Sequence, residues 1–152
     1  LDNSIKTLLL EKYYYSYRNT VEDKIASLIE EGHEVVHISM HSFTPVLNGI
    51  ERKVEIGLLF DDKRSEELAF NNLWKEALQT ALPEYIIMHN LPYHGADDGF
   101  TTYLRNKYTK NYLGIEIEIN QKFVDTPMLK VIEKALARSL STLTQNEVKA
   151  IC

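Results

Sequence analysis

Two hydrophobic rhythms alternate along this chain. Apolar residues recur at helical spacing over 4–17 (Ile5, Leu8, Leu9 and Tyr13 on one side) and again over 20–31 (Val21, Ile25, Leu28 and Ile29). This predicts two helices, the second opened by Thr20 as N-cap and closed by Gly32. "EVVHISM" is short and β-branched, so 34–40 reads as a strand, and "RKVEIGLLF", 52–60, as another. Residues 63–81 predict a helix with Phe70, Leu73, Trp74, Ala77, Leu78 and Ala81 inward, and Pro83 lies just past its end. "EYIIMHN", 84–90, is a third strand. The loop "LPYHGADDG" and a short helix over 99–108 follow it. "YLGIEIEIN", 112–120, alternates strictly and is a fourth strand. A last helix starts at Thr126 and Pro127, the order expected of a cap and a first turn, and runs to about 143 with Leu129, Ile132, Leu136 and Leu140 inward. Helices alternating with strands predict an α/β sandwich with a largely parallel sheet. In such sheets, ligand sites collect just outside the carboxyl ends of the strands.

Composition narrows the function classes. At 152 residues the chain fits a single domain, of a size that buries roughly 68–70% of its unfolded surface. Seventeen Lys and Arg against 22 Asp and Glu give a net charge of −5 without a basic stripe, which argues against nucleic acid and anionic membrane as partners. The longest apolar runs, such as "TLLL" and "IGLLF", fall far short of the roughly 20 residues a membrane span needs. The single Cys152 has no internal disulfide partner. With no signal-peptide pattern in view, a reducing, cytoplasmic setting is the expectation.

Several stretches carry candidate chemistry. "HEVVH", 33–37, matches the H-E-x-x-H zinc signature, but that chemistry needs a helix to put both histidines on one face. Here Gly32 has just ended a helix and the residues that follow favour a strand, so the match is set aside. His41 falls at the carboxyl end of that strand, where Pro45 turns the chain away; it is either a structural histidine or a ligand. Glu116 and Glu118 share one face of their strand, as a solvated outer face or as a general base in a cleft. "NLPYHGADDGFTTYLR", 90–105, holds Tyr93, His94, Asp97 and Asp98 in a loop after a strand, a common place for function. "YYYSYR", 13–18, reads as aromatic packing at a core or interface.

Taken in series, "ISMHSFTPVLNGIERKVEIGLLFD", "NLPYHGADDGFTTYLR" and "YLGIEIEINQ" resemble the N-formylglutamate amidohydrolase family, as does the upstream "YYYSYRNTVEDKI". The resemblance runs from about Leu10 to about Leu136. It implies a fold similar to zinc carboxypeptidases, a three-layer sandwich with a mixed, mostly parallel sheet flanked by helices. It also implies a catalytic zinc with His41 as a ligand, Glu118 as general base, and Arg52 as the cation for a substrate carboxylate. By the same resemblance Tyr93 lines the pocket and Ser42 orients the ligand or the water. The implied reaction is zinc-assisted amide hydrolysis of a small N-acyl amino acid such as N-formylglutamate.

The family's early "HxG"-type and "DLNRS"-type segments have no counterpart here, so residues 1–152 correspond to the carboxy-terminal portion of such a domain, truncated at the amino terminus. His37 lies about 13 Å from His41 along a strand, too far to share a metal; only His89 or His94 could approach from other loops. Rival readings are a carboxypeptidase or peptidoglycan-type amidase on the same scaffold, and a non-catalytic binding or scaffold module lacking the amino-terminal ligands. A truncated sheet exposes an edge strand, which predicts a homo-oligomer.

Overall fold

The structure, a computed structural model, describes residues 2–144 and the backbone of 148–151. Cys152 lies outside the described residues. The chain opens on one long helix in three parts: α1 (Asn3–Leu9), a π-helical turn (Leu10–Tyr15) and α2 (Ser16–Glu30). The expected break at Thr20 is absent, because its hydroxyl donates back to the Ser16 carbonyl inside the helix (2.8 Å) instead of capping a start. Gly32, at φ +86°, does end the helix: the Gly32 and His33 amides bond the Ile29 and Leu28 carbonyls in a Schellman pattern. The expected apolar face of 4–17 is a correction as well. Ile5, Leu8, Leu9 and Tyr13 are exposed, since no described element packs against them.

Strand β1 spans Glu34–Phe43, followed by the small hairpin β2 (Val46–Leu47) and β3 (Ile50–Glu51) and by β4 (Ile56–Leu59). The run expected as one strand over 52–60 therefore enters the sheet only at Ile56. Helix α3 (Ser65–Ala81), strand β5 (Ile87–His89), helix α4 (Phe100–Lys107), strand β6 (Tyr112–Asn120), helix α5 (Pro127–Thr144) and strand β7 (Val148–Ile151) complete the order. The sheet runs β5-β4-β6-β1-β7; β1 is parallel to β6 and β7, β4 is parallel to β5, and the β4–β6 pair alone is antiparallel. This is the expected mixed, mostly parallel sheet.

Strand alternation sorts side chains onto two faces. Val36, Ile38, Leu113, Ile115, Ile117, Ile56 and Leu58 meet α3 and α5 through Trp74, Leu78, Ile132 and Leu136. Each such side chain contributes about 1.5–3 kcal/mol on burial. The Trp74 indole N–H donates to Ser139 Oγ (2.9 Å), so its buried polar edge is satisfied. On the other face Val35 and Tyr112 meet Ile25, Leu28 and Leu104 of α2 and α4. Helices on both faces make three layers. The inward line of α3 is corrected too: Leu73 and Ala81 are exposed, and Glu67 and Asn71 take the inward positions with Trp74 and Leu78.

His37 and Tyr112 sit buried on the α2/α4 face, the Tyr112 hydroxyl 2.8 Å from His37 Nδ1. Burial first, and the charge of Arg105 second, hold His37 down at about 4. Its pKa in the unfolded chain is near 6.5, so between those values the unfolded state binds the extra proton. Stability carried by neutral His37 is complete above about pH 6.5 and is lost as pH falls towards 4, by about 3 kcal/mol over the window. Urea melts at pH 7 and pH 4.5 should show this loss in the native chain and a smaller one in His37→Gln.

Gly57 in β4 answers a separate constraint. A Cβ there would sit 2.1 Å from the Leu91 carbonyl oxygen, because the loop after β5 crosses directly over it. Gly57→Ala is expected to cost about 1–3 kcal/mol by forcing that backbone apart, read as a lower thermal midpoint.

Candidate active site

The carboxyl halves of β1 and β6 carry the site. Their register sets His41 opposite Glu118 and Ser39 opposite Glu116 on adjacent strands, with Gly57 of β4 on the far side of Glu118. Neighbouring strands stand about 4.8 Å apart, so the His41 and Glu118 side chains rise beside each other from the same face. The loop between β5 and α4 roofs this face. Together they enclose a cavity of about 470 Å³, lined among others by His41, Glu118, Glu116, Tyr93, His94 and Tyr17.

Glu118 is only 7% exposed, and its Oε2 is shut off from solvent without a hydrogen-bond partner. Burial pushes the carboxyl above its usual range; His41 pulls it back, Glu116 pushes it further, and Arg52 opposes. A carboxylate so placed is poised to hold a proton, as a general base requires. Glu116 differs: its Oε1 accepts a 2.6 Å bond from the Thr101 hydroxyl.

Arg52 follows β3 and donates to the Tyr93 hydroxyl (3.0 Å), with its guanidinium 5.2 Å from the centre of the Tyr93 ring. Its segment is held by the buried Asn120, whose amide donates to the Arg52 and Val54 carbonyls (3.3 and 2.9 Å). The last residue of the "EIN" run thus fixes the segment that carries Arg52, whose charge acts on Glu118. Ser42 falls elsewhere. Alternation turns it to the opposite face of β1 from His41, and there its Oγ accepts from the Gln121 side chain (3.2 Å). Ser39 is the serine beside the histidine, with its Oγ 2.8 Å from His41 Nε2. Sequence reasoning missed Ser39, although period-two spacing from His41 would have found it.

A zinc site takes three protein ligands. His37 is engaged by Tyr112, and His89 Nε2 donates to the Asn71 carbonyl at 3.2 Å, so both are turned to other work. His94 lines the cavity but lies 3.4 Å from Asn90 Nδ2 and 3.6 Å from Asp62 Oδ2. Among the described residues no group of three His, Cys, Asp or Glu side chains is placed to hold a metal ion. The residues described here do not by themselves fit a zinc centre. The "HEVVH" match is also resolved: His37 lies within β1 and His33 in the turn before it, so they share no helical face.

A mixed α/β sheet with a buried carboxyl and a histidine side by side at its carboxyl strand ends defines an α/β protein with a candidate active site. The chain belongs to the N-formylglutamate amidohydrolase family, whose model matches residues 1–124. It is similar to the crystal structure of gene product Atu2144 from Agrobacterium tumefaciens, with 26% sequence identity and a TM-score of 0.66 over 95% of the present chain. The chain spans 57% of the length of that protein. No curated protein matches it. Among the described residues, no helix is long and apolar enough to cross a membrane.

Replacing Glu118 by Gln removes a carboxylate that burial disfavours in its charged form. Glu118→Gln should therefore be more stable than the native chain at pH 7, with the gap closing as pH falls from the raised value of the folded state to the ordinary carboxylate range, below which both side chains are neutral. Paired urea melts at pH 7 and pH 4 read both halves of this expectation.

Proposed function

We propose that this chain carries the base and the substrate cradle of an amide hydrolase acting on a small N-acyl amino acid, N-formylglutamate being the compound for which its family is named. The observation that carries the reading is Glu118: buried, unpartnered at Oε2, and part of the wall of a cavity it shares with His41. Arg52 and Tyr93 receive the substrate carboxylate, the guanidinium offering paired donors in a plane and the phenol a third contact. Glu118 takes a proton from the attacking water as its oxygen bonds to the acyl carbon. It then returns the proton to the leaving nitrogen as the C–N bond breaks, releasing the acid and the free amino acid. Zinc belongs to the proposal with His41 as one ligand; further donors have to come from outside the described set, and no step above is routed through it.

The absence of a three-ligand group among the described residues favours a second reading, a binding or scaffold module built on the same cradle. Formate release from N-formylglutamate, followed with and without added zinc, separates the two. Hydrolysis that falls by about 10²-fold or more in Glu118→Gln supports the enzyme. In Arg52→Gln the loss should fall mainly on KM, about tenfold for one charge-assisted contact. Calorimetric binding of N-formylglutamate without turnover would identify the module instead.

A further inference from the structure

Strand β4 ends at Leu59, opposite Glu116, so the first half of β6 has no strand partner on that side. An ion pair fills the gap. Glu67 of α3 is fully buried: its Oε1 accepts the Gly114 amide (3.1 Å) and its Oε2 accepts the Asp61 amide (3.0 Å). Arg105 of α4 is 5% exposed, and its Nε donates to both Glu67 oxygens (3.0 and 3.1 Å). The guanidinium then reaches in two further directions. Nη2 donates to the Gly114 carbonyl (2.5 Å), four residues before Glu118 on the same strand face. Nη1 donates to the Gly95 carbonyl (2.6 Å) and to Thr102 Oγ1 (3.2 Å).

Gly95 is the residue after His94. Its amide donates to Asn90 Oδ1 (3.1 Å), and a Cβ on it would lie 2.0 Å from the Phe60 nitrogen. The loop therefore touches the sheet at Gly95 with no room to spare, and Arg105 holds the carbonyl side of that contact.

We propose that Arg105, with Glu67 as its counter-ion, is the positioning residue of the site: it fixes the Tyr93–Asp98 loop over the strand that bears Glu116 and Glu118. A buried ion pair is a poor source of net stability, because desolvation offsets the attraction. What this pair supplies is a planar fork whose donors reach a loop carbonyl, a strand carbonyl and a carboxylate at once. A lysine, with its donors on a single atom, cannot span the three. The inference rests on reading the cavity as the active site, but its main readout does not depend on turnover.

The test is hydrogen exchange by mass spectrometry on the whole chain, native against Arg105→Lys. Losing a charge-assisted bond to Gly95 should speed exchange in the peptide over 93–98 by about tenfold, with α5 and the carboxyl half of β6 unchanged within about twofold. Where N-formylglutamate is hydrolysed, KM should rise more than kcat falls, because Tyr93 is displaced while Glu118 stays in place. Exchange that rises equally across α3, β6 and the loop would mean a purely structural role and overturn the proposal, as would a loop unchanged from the native chain. If Arg105→Lys does not fold, Thr102→Val decides. It keeps the ion pair and removes the hydroxyl that donates to the Asp97 carbonyl (2.7 Å) and receives Nη1. Loop exchange about threefold faster supports the proposal, and no change overturns it. An inactive native chain that still shows the loop-specific effect would discard the hydrolase reading and leave the positioning role standing.

Discussion

Backbone groups inside a protein have to be paired, and half of one edge of β6 has no strand to pair with. Gly114 presents its amide and its carbonyl to that gap, and Tyr112 presents its carbonyl. Side chains close it: Glu67 takes the amide, Arg105 the Gly114 carbonyl, and Arg64 the Tyr112 carbonyl. Left unmade, each of these bonds would cost on the order of 1–3 kcal/mol. The solution constrains what lies around it. Helix α3 has to turn its first inward position to a carboxylate, α4 has to bring an arginine through the opposite layer, and the connecting loop has to pass within reach of the fork. The cavity beside Glu118 takes its shape from that arrangement.

The site shows a second trade between stability and use. The core is apolar, with its polar atoms partnered almost throughout, yet Glu118 keeps an unpartnered oxygen beside a histidine. Three neighbours push and pull on it, His41 and Arg52 in favour of ionisation and Glu116 against. The arginine itself stands away from the cavity floor, stacked over Tyr93 and anchored by Asn120. The guanidinium of Arg52 and the buried carboxyl of Glu118 are thus kept on different elements.

Much of this was legible in the chain. β6 occupies the residues its alternation indicated, and α5 begins at its proline, because a two-residue period and a proline at a first turn are local signals that need no distant partner. His41 and Glu118 stand side by side because strand ends in a parallel pair bring their termini together. The amino-terminal helix was misjudged: apolar spacing says which face would be buried, and nothing in it says whether a partner is there to bury it. Leu73 was misplaced on α3 for a related reason. The inward face follows Glu67 and Asn71, and a buried glutamate is tolerable there because Arg64 and, 38 residues further on, Arg105 both pair with it. Ser42 and Ser39 differ by strand parity, which the motif obscured and the register restored.

The long opening helix has a consequence of its own. No residue of α1 or of the π-helical turn is buried, and the first firm anchor is Arg18, whose guanidinium lies 4.0 Å from the centre of the Phe100 ring and 4.8 Å from that of Tyr103. Helices of this length without packing are marginal in water, so these opening turns open locally at little free-energy cost while the sheet stays intact. Tyr17 stands at the boundary between the two regimes and forms part of the cavity wall. One wall of the cavity is therefore continuous, through Tyr17, with helical turns that bury no side chain. Anything that orders the opening turns narrows the range of shapes that wall can take.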